Sequence, residues 1–379
     1  MRSPAPPRVL VLTPDYPPAY GGIQELAYRV VTGWSRVEAR VVTLRTAGST
    51  AFDRASTQTV RRVPPMPLGG RRAAMLVLNG VAVVEAIRFR PDVVFSVHIA
   101  AGLAARVLRS LAGLPYVQYV HGKEVTARPR LAAFLLGTAD MVAANSRYTE
   151  LLALRHGARP ELLHVIAPGV EVTGAGGERE RRDKRAPIVL VISRLDDRYK
   201  GHDVLIRAMP LVRARIPGAR LVVIGDGVLR SSYERLAHAI GISGSVDFLG
   251  AVGPDERDDW LDRARVFAMP SRLTSDGGGE GFGIAYLEAG AHRLPVVGGN
   301  VGGALDAVVD GETGLLVDPT DHVAVADAIA ELLADRGKAA RLGQEGCRRA
   351  ELHTWTRTAE QLEDLLLAVA ERRRARSLR

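Results

Sequence analysis

The stretch Gly277-Gly278-Gly279-Glu280-Gly281-Phe282-Gly283-Ile284-Ala285-Tyr286-Leu287-Glu288 is a glycine-rich turn running into a helix, with two carboxylates eight positions apart. Glycines let a backbone approach a ligand with no side chain in the way. A helix beginning near Phe282 aims free N–H groups and the positive end of its dipole at that ligand, which suits a diphosphate. Glu280, just ahead of the helix, is placed to accept hydrogen bonds from sugar hydroxyls. Glu288, two turns in, is placed to accept them from a ribose, as the acidic residue of a dinucleotide site does. The plain alternative is a glycine turn capping an ordinary helix with two surface glutamates, and a short motif by itself does not choose between the two.

The flanking sequence does choose. Short apolar runs at 188–192, 220–224, 246–249, 266–268, 295–297 and 314–317 read as buried parallel strands. Helical patterns lie between them, and another follows at 323–333. Polar or glycine-rich breaks follow several of these strands: Ser193 to Gly201 with the cations Arg194 and Lys200, Gly225-Asp226-Gly227, Met269-Pro270-Ser271, and Val301-Gly302-Gly303. In such a sheet these breaks fall on one edge, where ligands bind. Arg194 offers a planar fork and Lys200 a point charge, both suited to a diphosphate.

The first half repeats the pattern. Strand candidates lie at 8–13, 39–44, 92–97, 116–120, 141–144 and 163–166, with helices at 23–34, 73–90, 100–111, 130–136 and 148–156. Gly21 and Gly22 end the loop after the first strand, where they either leave room for a ligand arriving from the other domain or form a simple turn at a helix start. This is not the G-x-G-x-x-G pattern of a dinucleotide site. His121-Gly122 directly follows the strand 116–120, which places a histidine at a ligand-binding edge. Prolines 64, 65 and 67 with Gly69 and Gly70 read as an irregular basic loop between Arg61-Arg62 and Arg71-Arg72. Residues 174–186 are glycine and charge with almost nothing apolar, so they read as a linker. The expected architecture is α/β: two doubly wound Rossmann-like domains, 1–173 and 187–354, facing a central cleft.

The bulk properties bound the rest. The single cysteine, Cys347, excludes an internal disulfide framework and fits a reducing compartment. The N-terminus lacks the apolar run of a signal peptide, and residues 73–87, the most apolar run, are interrupted by Asn79, Gly80 and Glu85. A cytoplasmic protein is expected. Residues 1–185 hold 26 Lys and Arg against 14 Asp and Glu, while the remainder is mildly acidic. A basic first half suits an anionic surface or substrate. Aromatic residues are only 5% and are not interleaved with the arginines, so no stacking platform for nucleic acid is visible.

Together these residues resemble the retaining glycosyltransferases of family 4, which have the GT-B fold. The likeness covers nearly the whole chain. Glu280 to Glu288 matches the family's E-x7-E signature, joined in order by the Gly21-Gly22 loop, His121-Gly122, Arg194 and Lys200. The resemblance implies that Arg194 and Lys200 hold the donor diphosphate. Glu280 with the backbone of Gly281, Phe282, Gly283 and Ile284 would hold the donor sugar, and Glu288 the ribose. Gly21, Gly22 and Gly225 would approach the donor, and His121 would lie beside its sugar. It also implies a last helix, from about residue 355 to 372 within the segment 355–379, that crosses back to the first domain.

Within that family the chain is most like actinobacterial phosphatidylinositol mannosyltransferases, through Tyr20-Gly21-Gly22-Ile23-Gln24, His121 to Val125, and Gly281 to Glu288. This implies GDP-mannose as donor and an anionic phosphatidylinositol-type lipid as acceptor. It also implies peripheral contact of the basic first domain with the inner face of the plasma membrane. No cofactor is expected, since the nucleotide sugar is a co-substrate. No metal is expected either, because no Asp-x-Asp element or His/Cys cluster is present. The alternatives within the fold are a UDP-sugar transferase of secondary metabolism or cell-surface glycan synthesis, and a nucleotide-sugar epimerase. A non-catalytic basic membrane adaptor would explain the arginines of 372–379 but not the clustered turns of the second half.

Overall fold

The structure is a computed structural model, and it describes residues 5–66, 70–172 and 186–377. The chain divides into two compact units. One comprises Met1–Gly169 with Trp355–Arg379, and the other Val170–Thr354. The expected linker, save Ala186, lies outside the described residues, as do Pro67 and Gly69 of the expected basic loop. Val170 groups with the second unit because its N–H donates to the His353 carbonyl at 2.8 Å and it bridges Thr354.

The first unit is a seven-stranded, all-parallel sheet. Its strands are β1 (Arg8–Leu12), β2 (Glu38–Leu44), β3 (Thr59–Val63), β4 (Val93–Ser96), β5 (Tyr116–Val120), β6 (Met141–Ala144) and β7 (Leu163–Val165), in the order β3-β2-β1-β4-β5-β6-β7. The chain therefore reverses direction across the sheet between β1 and β4, which creates a switch point at their carboxyl ends. Side chains alternate along β1: Leu10 and Leu12 enter one core, Val9 and Val11 the other.

Both cores need helical cover. The helices Gly70–Phe89 and Gly102–Ala112 cover the first, while Gly22–Gly33 and the terminal helix Trp355–Ser377 cover the second. The terminal helix buries Leu362, Leu365, Leu366 and Val369 there. Its Glu363 is buried and accepts from the Ser35 and Arg36 N–H groups at 2.8 and 2.6 Å. At its far end Arg374 pairs with Asp92 at 3.0 Å.

Two elements of this unit were not expected: the edge strand β3, which carries Arg61 and Arg62 and ends just before the irregular residues 64–66, and the helix Ser49–Ala55 that precedes it. Arg62 is buried, chelated by Asp53, and donates to the Pro17 carbonyl at 2.5 Å. It braces the loop after β1 and does not face solvent. Arg71 and Arg72 begin the helix Gly70–Phe89.

The second unit is a six-stranded parallel sheet: β8 (Ile188–Ile192), β9 (Arg220–Ile224), β10 (Val246–Gly250), β11 (Val266–Met269), β12 (Val296–Gly299) and β13 (Gly314–Val317). The order is β10-β9-β8-β11-β12-β13, so its switch point lies between β8 and β11. Every strand is parallel, so the turns after β8, β9, β11 and β12 share one edge, as their spacing in the sequence implied. Among the described residues, no helix is long and apolar enough to cross a membrane.

Candidate active site

The switch point of the second sheet brings the loop after β8 against the loop after β11. The contact is backbone on backbone: a Cβ on Gly201 would sit 2.0 Å from the Pro270 carbonyl oxygen, and Gly201 adopts φ +79°. The Tyr199 carbonyl accepts from the Arg272 N–H at 2.7 Å across the same seam. Gly225, at φ +133°, approaches the Ser193 carbonyl in the same way from the turn after β9. These glycines are required because an L side chain would both clash and strain the backbone.

The glycine-rich stretch is held at this edge by Tyr286. Its buried hydroxyl bonds to the Met269 carbonyl at 2.6 Å and lies 2.9 Å from Ser271 Oγ, tying the helix Ile284–Ala291 to the end of β11. That helix starts at Ile284, two residues after Phe282. Gly283 takes the left-handed conformation, φ +94°, where a Cβ would meet the Tyr286 ring at 2.4 Å. Glu288 is consequently on the second turn. The Phe282 ring is buried against His353, so Phe282 offers only its backbone to a ligand. Gly303, from the turn after β12, donates to the Glu280 carbonyl at 2.9 Å and closes the far side.

Two of the expected residues touch. Lys200 Nζ is paired and hydrogen-bonded with Glu280 Oε2, and both side chains are mostly buried. Burial alone would lower the Lys200 pKa. The Glu280 charge and hydrogen bond, with Tyr199, outweigh it and hold the ammonium above its ordinary value. Lys200 Nζ also lies 5.2 Å from the Tyr199 ring centroid. Arg194 is exposed on the same loop and makes no ion pair among the described residues. Buried beneath them, His202 shares a 3.1 Å hydrogen bond with Ser193 Oγ and stacks on Tyr233. Burial, aided by the charge of Lys200, pushes its pKa down to about 3, so it is neutral.

Glu288 accepts from Arg257 at 2.9 Å through Oε1, leaving Oε2. Sequence reasoning missed Arg257. It lies on the helix Pro254–Arg263 after β10, one charge among seven in a ten-residue segment, and no spacing marks it. No group of three or more His, Cys, Asp or Glu placed to hold a metal occurs among the described residues.

Gly21, Gly22 and His121 belong to the first unit. Gly21 precedes the helix Gly22–Gly33, and its carbonyl accepts from Glu25 N–H at 3.0 Å. His121 follows β5, its ring beside Tyr119. Its Nε2 is 2.7 Å from the Val97 carbonyl, and its N–H donates to the buried Glu124 at 2.6 Å. A carbonyl only accepts, so Nε2 carries the proton in the neutral ring.

Comparison with known proteins places these features. Residues 20–173 match the family Glycosyltransferase Family 4, and residues 177–349 match Glycosyl transferases group 1. The GDP-mannose-dependent alpha-(1-6)-phosphatidylinositol monomannoside mannosyltransferase of Mycobacterium tuberculosis is 34% identical across 95% of this chain and 98% of its own. The Mycolicibacterium smegmatis enzyme of the same description is also 34% identical, across 97% and 100%. Among solved structures, HepE of Anabaena in complex with UDP and glucose superposes with a TM-score of 0.80 at 21% identity, covering 95% of this chain and 99% of that one. Sucrose-phosphate synthase from Thermosynechococcus elongatus gives 0.80 at 22% identity, covering 95% and 98%. The two switch-point sheets, the Lys200–Glu280 pair and this near full-length similarity together make the chain a member of glycosyltransferase family 4, with the GT-B fold.

Proposed function

We propose that this enzyme transfers mannose from GDP-mannose, with retention, to a hydroxyl of a phosphatidylinositol-type lipid at the inner face of the plasma membrane. The observation that carries this reading is the 34% identity to phosphatidylinositol monomannoside mannosyltransferases over their entire or almost entire length.

In this mechanism Arg194, Lys200 and the N–H groups at the start of the helix Ile284–Ala291 meet the charge developing on the leaving diphosphate. The arriving phosphate takes over Lys200 and frees Glu280 for the sugar hydroxyls. Glu288 accepts from the ribose through Oε2 while Arg257 holds Oε1. The bond from the anomeric carbon to the diphosphate breaks, and the acceptor oxygen bonds on the same face. The acceptor's proton passes to a leaving phosphate oxygen. The same reading gives donor-side roles to Gly21, Gly22, Gly225 and the backbone of Gly281, Phe282, Gly283 and Ile284, and puts His121 beside the sugar. Contact with an anionic bilayer is assigned to the helix Gly70–Phe89, where Leu76 and Ile87 are 70% and 71% exposed beside Arg72 and Arg88.

Calorimetric titration with GDP, UDP and ADP, followed by a transfer assay with the matching nucleotide sugars, tests the reading. GDP preference and mannosylation of phosphatidylinositol monomannoside are expected, undiminished in EDTA because protein cations serve the diphosphate. Preference for UDP would replace the donor assignment with a glucose- or N-acetylglucosamine-type sugar. Loss of transfer in EDTA would remove the metal-free part.

A further inference from the structure

The carboxyl ends of β1, β4 and β5 converge at the switch point of the first sheet, and a second histidine sits there. His98 follows β4 and caps the short 3-10 turn Ile99–Ala101: its Nδ1 accepts from the Ala100 N–H at 3.0 Å. Its own carbonyl accepts from Ser96 Oγ at 3.1 Å and from the Ala101 N–H at 2.9 Å. The turn is pinned from outside by Asn79, which donates to the Ala100 carbonyl at 3.2 Å and accepts from the Ala104 N–H at 2.7 Å. The imidazole therefore has one defined orientation.

That orientation also sets its chemistry. A nitrogen that accepts a backbone N–H carries no proton, so in His98 the proton is on Nε2. Burial keeps the ring neutral by lowering its pKa, against the opposing charges of Glu124 and Asp15 and with those of His121 and Arg128. Nε2–H makes no hydrogen bond among the described residues. The neighbouring His121 has the opposite arrangement: Nε2 donates to the Val97 carbonyl, so Nδ1 is its free nitrogen, an acceptor in the neutral ring. One sheet edge thus presents an N–H and a lone pair, on rings anchored to the adjacent backbone of Val97 and Ala100. Among the described residues nothing in this unit uses either nitrogen.

We propose that His98 is an acceptor-binding residue, its Nε2–H donating to an oxygen lone pair of a polyol acceptor. His98 is poorly suited to act as a base, because its lone pair is already committed to Ala100. A donor fixed in this way holds and orients an oxygen. The polyol class fits the surroundings, since Asp15 and Glu124 are near enough for their charge to act on the ring, Asp15 is paired with the exposed Arg71 at 3.0 Å, and Arg128 is exposed on the segment after Glu124. The inference rests on the transferase reading above and adds the residue that orients the acceptor.

The substitutions His98→Asn and His98→Gln separate the two nitrogens. Asn reaches only as far as Nδ1, so it keeps the cap and loses the outer donor. Gln reaches the Nε2 position and loses the cap. Both full-length variants are assayed with GDP-mannose and phosphatidylinositol monomannoside. H98N is expected to melt like the wild type, bind GDP like the wild type, and raise the acceptor KM about tenfold with the donor KM unchanged. H98Q is expected to melt lower yet recover much of the lost acceptor affinity. A wild-type acceptor KM in H98N overturns the inference alone. Absence of GDP binding and transfer in the wild-type chain overturns the proposed function and the inference with it.

Discussion

At the scale of single residues, the Lys200–Glu280 pair concentrates the chemistry. Two largely buried opposite charges hold each other, and in the proposed mechanism the donor diphosphate takes over Lys200 and releases Glu280. Lys200→Ala is expected to lower kcat by about 10²–10³-fold, the cost of removing one donor aimed at developing charge. Circular dichroism and the melting profile should show the fold retained; unchanged turnover would remove Lys200 from the site. Beneath it, His202 links the site to acid stability. Its folded pKa, about 3, lies below the ordinary 6.5, so the unfolded chain binds the extra proton first. Its contribution is fully present above pH 6.5 and is lost as pH falls toward 3. Between pH 7 and pH 5 that loss is about 2 kcal/mol. Urea melts of the wild type and His202→Gln at both pH values check this: the variant should lose less stability on acidification, and equal losses would contradict the burial account.

At the scale of elements, the terminal helix Trp355–Ser377 is integral to the first unit. Trp34 Nε1 donates to the Ala359 carbonyl at 3.1 Å, and Thr358 Oγ1 donates to the Ala167 carbonyl at 2.9 Å. Glu363 terminates two backbone N–H groups and pairs with Arg36 at 2.9 Å. Glu363→Ala orphans those donors and is expected to cost about 2–3 kcal/mol. Denaturant unfolding should show the loss, while GDP affinity, which the proposed site draws mainly from the second unit, stays as in the wild type. A GDP affinity that falls with Glu363 would contradict that separation.

At the scale of the whole molecule, charge and chemistry are divided between the units. Counted by unit, the first holds 27 Lys and Arg against 14 Asp and Glu, because the arginine-rich C-terminus joins it; the second holds 24 against 28. The proposed partners divide likewise, anionic lipid for the first and nucleotide for the second. Hydrogen exchange is expected to report them separately. GDP should slow amides in 193–201 and 281–288, and vesicles containing phosphatidylinositol should slow those of the helix Gly70–Phe89, an effect reversed by salt. Protection of the same segments by both ligands would sink the division.

The parallel sheets and their ligand-binding edge were legible in the sequence because a strand buried on both faces must be uniformly apolar and its exit must turn. Runs such as Ile188–Ile192 and breaks such as Ser193–Gly201 record those constraints locally. The edge strand β3 was not legible: exposed on one side, Thr-Val-Arg-Arg-Val carries no apolar run, and Arg62 reads as solvated until Asp53 and Pro17 are seen around it. Gly201, Gly225 and Gly283 announced turns, but only the fold shows which backbone each must let approach. The sequence by itself determined the architecture and, through its resemblance, the family, and it singled out Arg194, Lys200, Glu280 and Glu288 as candidates, since these readings depend on residue type and spacing. Tertiary structure alone decided that Lys200 holds Glu280, that Arg257 holds Glu288, and that His98 and His121 face one edge with opposite hydrogen-bonding polarity. Those facts depend on which atoms stand beside each side chain, and segments 24 to 80 residues apart meet only when the sheets form.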